Sequence, residues 1–238
     1  RGFAANFKHV FDINISKAWD NWIQFEKEFQ NVNIKSLNES VITEDQRISD
    51  KVLGGVSHAF FDKKRNKIYV AVNYPGKVPH LASLDISTGK LKRLTDIKGP
   101  ALFNVTSLAY DENNDFLFYT TDNSANRDLY SYNLKNGQNT LLQKNFRSGD
   151  LAYNKKDQSL WAVMHMNGIN TVIRIPKFNS ENPNQYYSVW EQKYTLPYGH
   201  DIFDLDISPD GTKLSAAVAD YFGNQYLNIY DLASIDNV

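Results

Sequence analysis

A hairpin pattern that returns four times is the feature that most constrains how this chain can fold. It reads GVSHAFFDKKRNKIYVAV over residues 55–72, NVTSLAYDENNDFLFYTT over 104–121, RSGDLAYNKKDQSLWAVM over 147–164 and DIFDLDISPDGTKLSAAV over 201–218. In each copy a first strand closes on Phe61, Tyr110, Tyr153 or Ile207, and a turn residue follows, Asp62, Asp111, Asn154 or Ser208. These anchors stand 49, 43 and 54 residues apart. The fourth turn, Ser208-Pro209-Asp210-Gly211, joins a proline of fixed φ to a glycine that tolerates positive φ, so a tight hairpin is expected there.

Two further strands follow each hairpin. The third recurs at residues 80–85, 128–133, 171–176 and 226–231, with apolar positions alternating as one packed face requires, and a fourth recurs at 91–97, 139–146 and 191–198. Four antiparallel strands at a period in the forties define a propeller blade. The expected fold class is therefore all-β, a β-propeller with about four four-stranded blades present as part of a larger propeller, preceded by a short helical segment. The blades are expected at 54–98, 99–146, 147–199 and 200–238. A β-sandwich also strings short strands between turns, but it has no reason to repeat one hairpin at blade length. The 54-residue spacing comes from residues 176–190, rich in Asn, Ser and Pro, which read as a loop inserted between third and fourth strands.

Residues 1–53 stand outside the repeat as an N-terminal connector. A helix is expected over 16–30, capped by Ser16, with Ala18, Trp22, Phe25 and Phe29 on one face as a core-packing stripe. Residues 3–13 read as a further strand, and 41–49 as a detached outermost strand. The fourth copy runs out after its third strand. Either 41–49 completes that blade and closes a four-bladed ring, or the propeller has more blades. The second reading is preferred, because the chain opens on Arg1 and not on Met.

The aliphatic-x-aliphatic-Ser-Pro-Asp-Gly pattern at residues 205–214, with YLNIYDL at 226–232 and KLKRLT at 90–95, resembles the TolB-like, WD-like repeats of bacterial envelope β-propellers. The likeness covers residues 54–238 and implies a propeller in the periplasm or cell envelope. Only one of the four copies keeps Ser-Pro-Asp-Gly. Ala18-Trp19-Asp20-Asn21-Trp22 and Phe25-Glu26 resemble the connector between a peptidase-like domain and such a propeller in some large bacterial proteins. The His-Glu-x-x-His zinc motif of such a peptidase does not occur here, so its activity does not carry over.

Composition narrows the function classes. Twenty-six basic residues balance 27 acidic ones without a run of like charge, which argues against nucleic acid as a partner. No stretch is apolar enough to insert in a membrane. Cysteine is absent, which removes disulfides, thiolate metal sites and cysteine nucleophiles. There is no Gly-x-Ser-x-Gly elbow and no glycine-rich phosphate loop, and His9, His58, His80, His165 and His200 show no metal-ligand spacing. Residues 111–122 start like a calcium loop, but Phe116 stands where the sharp turn needs Gly. Catalytic residues, metal and cofactor are accordingly all expected to be none.

One column of the repeat is polar in every copy. His58, Ser107, Asp150 and Asp204 each stand three residues before the closing anchor, each followed by an apolar residue. Innermost blade strands border the central channel, so these four are the candidate ligand-binding residues. The alternative is that they satisfy nearby backbone groups or face channel water. The function expected is a non-catalytic propeller acting as a protein- or peptide-binding scaffold, with loops 73–79 and 122–127 on its rim. Two other readings stay open: a small-ligand or metal-binding channel, and an accessory or gating domain of a peptidase encoded elsewhere in the precursor.

Overall fold

The computed structural model describes residues 2–41, 43–48, 54–97, 108–123, 126–177 and 190–235. The chain divides into two compact units, Arg1–Arg47 and Ile48–Val238.

The first unit is helical. Helix α1 spans Phe3–Phe11, where a strand was expected, because Phe3, Phe7 and Phe11 fall at helical i,i+4 spacing, with ring centroids 6.1 and 4.7 Å apart. Asp12, at φ 52°, ends it. Helix α2 spans Ile15–Leu37, and its cap is Asn14, whose side chain accepts the Ser16 amide at 2.9 Å, not Ser16 itself. It outruns the expected 16–30 because neither Gly nor Pro interrupts residues 31–37. Neither helix has a buried residue, so the stripe of Trp22, Phe25 and Phe29 does not form the core that its spacing suggests. Residues 41 and 43–48 form no strand and pair with none, so the ladder that would close a ring against residues 226–231 is not present among the described residues.

The second unit holds four antiparallel sheets in chain order. The first comprises β1 (Gly55–Val56), β2 (Phe60–Asp62), β3 (Lys67–Asn73), β4 (His80–Asp85) and β5 (Leu91–Asp96), with β1 and β2 sharing one edge of β3 as a broken inner strand. The second is β6 (Leu108–Asp111), β7 (Phe116–Asp122), β8 (Arg127–Asn133) and β9 (Asn139–Gln143). The third is β10 (Ser148–Asn154), β11 (Ser159–Met166), β12 (Ile169–Ile175) and β13 (Glu191–Thr195). The fourth, β14 (Asp201–Ile207), β15 (Lys213–Ala219) and β16 (Gln225–Asp231), has three strands among the described residues. Each sheet is a blade of an all-β propeller.

Apolar faces of neighbouring blades form the cores. Tyr69, Leu81, Tyr110, Leu117 and Tyr119 join the first blade to the second. Phe118, Phe146, Leu151, Leu160 and Ile173 join the second to the third, and Trp161, Val163, Ile202, Leu214 and Ala216 the third to the fourth. Middle strands are the most continuously buried, as in β7, where Phe116 to Thr121 are all buried. A strand covered on both faces needs such an unbroken apolar run.

The hairpins obey their turn chemistry. Asn66, Asp115 and Gln158 take positive φ at the last turn position of the first three blades, and in the fourth the positive φ falls one position earlier, at Gly211. Glycine at 211 has a second use. A Cβ there would lie 2.5 Å from the Asn154 side-chain oxygen, so its absence lets the fourth turn approach the third.

Candidate functional site

On the first, third and fourth blades the polar column falls where the inner strand breaks its regular pairing. His58 lies in the gap between β1 and β2, Asp150 in the register shift between Ser148 and Leu151, and Asp204 in the shift between Phe203 and Asp206. A bulge turns a side chain out of the pleat, which is how these residues come to face inward. Ser57 and Ser148 hold two of the irregularities: the Ser57 hydroxyl accepts the Ala71 amide at 2.8 Å, and the Ser148 hydroxyl donates to the Asp150 carbonyl at 3.1 Å. Ser107, the column's remaining member, lies outside the described residues.

His58, Asp150 and Asp204 line one cavity of about 1420 Å³ along the inner strands, together with Phe61, Arg127 and Arg147. Asp150 and Asp204 meet directly: the Asp204 amide donates to Asp150 Oδ1 at 3.4 Å, and Asp204 holds φ 56° to do so. Burial is the largest influence on the Asp150 carboxyl and raises it above the ordinary value, with the Asp204 charge adding to the rise. The Asp204 amide, His165 and Arg127 pull the other way without prevailing.

Several cavity residues were not found from the sequence. Arg127 starts β8 and is tied to Asp122 at 3.1 Å, and its guanidinium rests over Gly149, where a Cβ would lie 2.8 Å from Nη1. Glycine beside an inner-strand aspartate was the one available sign of that close approach. His165 reaches the cavity from the end of β11 with Nδ1 bonded to Asn170 Oδ1, while the Asn170 amide donates to the His200 carbonyl at 2.8 Å and to Asp201 at 2.9 Å. This network ties the third blade to the fourth at the cavity rim. Phe61, 55% exposed, and the stacked pair His58–Phe60 supply an aromatic wall.

Among the described residues no group of three His, Asp or Glu side chains is gathered so as to hold a metal ion. No described helix is long and apolar enough to cross a membrane. The site is a polar and aromatic cavity, with carboxylates on the inner strands of the third and fourth blades and arginines beside them.

No protein-family model matches the sequence, and no curated protein does. Solved structures do. TolB from Acinetobacter baumannii superposes with a TM-score of 0.61 at 15% identity, over 76% of this chain and 42% of that one. A protein assigned as TolB from Agrobacterium tumefaciens gives 0.62 at 11% identity, over 78% and 65%. A chain of the nidogen/laminin complex gives 0.54 at 15% identity, over 81% and 69%. This chain thus spans less than two thirds of either TolB chain. The class defined by fold and comparison is the β-propeller. Within that class, the fold is like that of the TolB propeller.

Proposed function

We propose that this chain is a non-catalytic β-propeller that binds a protein or peptide partner, serving as a scaffold module of a larger bacterial protein of the cell envelope. The observation that carries this reading is the delivery of His58, Asp150 and Asp204 by three separate inner-strand irregularities into one cavity of about 1420 Å³. Irregularities on the first, third and fourth blades that open on one cavity suit an extended ligand that meets more than one blade. An aromatic anchor at Phe61 beside carboxylates and arginines is the mixture that protein-recognition surfaces favour. The nidogen/laminin structure is a precedent for a propeller of this fold within a protein–protein complex. The envelope location rests on the likeness to TolB.

The test is selection of a displayed peptide library on the immobilised chain, followed by titration of the selected peptides. The double replacement Asp150→Ala, Asp204→Ala should weaken binding about tenfold or more, ~1.4 kcal/mol, while Lys92→Ala on the outer strand β5 leaves it unchanged. Selected peptides indifferent to the double replacement would remove the cavity from the binding surface.

A further inference from the structure

The charged residues that line the inner-strand cavity are not equally provided with partners. Arg127 is held by Asp122 at 3.1 Å and Lys155 by Glu112 at 2.9 Å. The Asp201 carboxylate accepts the Asn170 side-chain amide at 2.9 Å, Asp206 accepts the Ile207 amide at 2.9 Å, and Asp150 accepts the Asp204 amide. Two side chains of opposite sign are left over, Arg147 and Asp204. Both are exposed, both line the cavity, and neither side chain has a hydrogen-bond or ion-pair partner among the described residues, not even the other.

Their backbones are nevertheless fixed. The Arg147 amide donates to the Arg127 carbonyl at 3.2 Å and its carbonyl accepts the His165 amide at 3.0 Å, which ties it to the second blade and to β11. Asp204 is tied to the third blade through Asp150. Arg147 holds φ 58° and Asp204 φ 56°, a region that residues other than glycine seldom adopt and that is concentrated at binding positions. Asp150 and Asp204 occupy equivalent places in the repeat, and Arg147 precedes Asp150 by three residues. The two free charges are therefore offset along the channel by no more than three residues of extended chain, roughly 10 Å.

We propose that the partner segment bound in this cavity is zwitterionic, with a carboxylate on Arg147 and an ammonium or guanidinium group on Asp204, an assignment that rests on the peptide-binding reading above. An extended segment spans that offset with its charges about two to four residues apart. Opposite anchors at two depths also set direction, because a reversed segment would bring like charges together. The forked guanidinium of Arg147 suits a carboxylate in two parallel hydrogen bonds. A ligand cation at Asp204 further relieves the repulsion by which that charge helps to raise the Asp150 carboxyl.

Peptides selected on the immobilised chain test this. They should carry an acidic and a basic group at that spacing, and synthesis with free and with capped ends tells side-chain charges from terminal ones. Neutralising either group of a selected peptide should weaken its binding to the parent chain about tenfold or more, a measurement that needs no variant. Arg147→Asn and Asp204→Asn, chosen because asparagine tolerates the same positive φ, should each cost a similar factor with circular dichroism unchanged. The loss from Arg147→Asn should vanish for the peptide without its acidic group, and that from Asp204→Asn for the peptide without its basic group, but not the reverse. Peptides that need Asp150 or Phe61 yet carry no such charge pair would overturn the assignment and leave the peptide-binding reading standing, as would losses that ignore the matching group. Failure to select any peptide would overturn both.

Discussion

The Tyr153 hydroxyl donates to Asp111 Oδ2 over 2.7 Å, joining the residue that closes the inner strand of the third blade to the turn carboxylate of the second. The same pairing of types recurs one blade earlier, where Tyr110 faces the buried Asp62 and helps to hold its carboxyl low without a hydrogen bond of normal geometry. Between the third and fourth blades both partners change together. Ile207 replaces the tyrosine, Asn154 replaces the aspartate, and the Asn154 amide donates instead to the Gly211 carbonyl at 3.1 Å. One blade's turn is thus stitched to the next blade's inner hairpin, by two chemistries.

Tyr153→Phe removes the donor and leaves Asp111 with the Asn113 and Asn114 amides and the Asn114 side chain. The expected cost is about 1–2 kcal/mol. Asp111→Ala should cost more, because the turn amides lose their acceptor as well. A double-mutant cycle by urea denaturation should return a non-zero coupling for this pair.

Acid stability should depend on Asp62. Burial alone would raise its carboxyl, but the Arg65 side chain at 2.7 Å, the Arg65 amide and the Tyr69 hydroxyl outweigh burial and hold it below the ordinary value. Its stabilising contribution is therefore complete above the unfolded carboxyl value, roughly 3.9, and is lost as pH falls through the lower folded value. Denaturant melts taken from neutral to acid pH should show Asp62→Asn less stable than the parent at neutral pH, with the gap closing in acid.

Asp150 should behave with the opposite sign. Its folded carboxyl lies above the unfolded value, so its ionisation costs stability as pH rises between the two. Asp150→Asn keeps an acceptor for the Asp204 amide and should raise the melting temperature at neutral pH. That gain should vanish below the unfolded carboxyl value, and equal melting temperatures at neutral pH would refute the assignment.

Gly211→Ala combines a φ of +67° with a Cβ only 2.5 Å from Asn154 Oδ1 and from Lys156 Cβ. A cost of about 1–3 kcal/mol is expected, or roughly 2–4 °C of melting temperature per kcal/mol for a chain of this size. Unchanged stability would mean that the third and fourth turns do not approach as described.

The blades were legible because a hairpin writes itself locally, with alternating apolar residues, a polar turn and a fixed anchor such as Tyr110 or Tyr153. The column of His58, Asp150 and Asp204 was legible by superposing the copies, although no pattern announced the breaks in pairing that turn these side chains inward. Arg127, Arg147 and His165 could not be read, because blade stacking brings them to the cavity from different strands and loops. The segment 3–13 was misread as a strand because its phenylalanines lie in so short a stretch that period and alternation are hard to separate. Residues 41 and 43–48, the described part of the expected outermost strand 41–49, form no strand, because a composition suited to a strand does not itself supply a partner to pair with.

Crosslinking from inside the cavity tests the central claim most directly. A photoreactive phenylalanine analogue in place of Phe61, and in a second variant at Lys92, is irradiated with a peptide selected on the parent chain. The account predicts adducts from position 61, abolished by excess unlabelled peptide, and none from position 92. Adducts from position 92 alone would place the partner on the outer strands and contradict the inner-strand cavity as the binding surface.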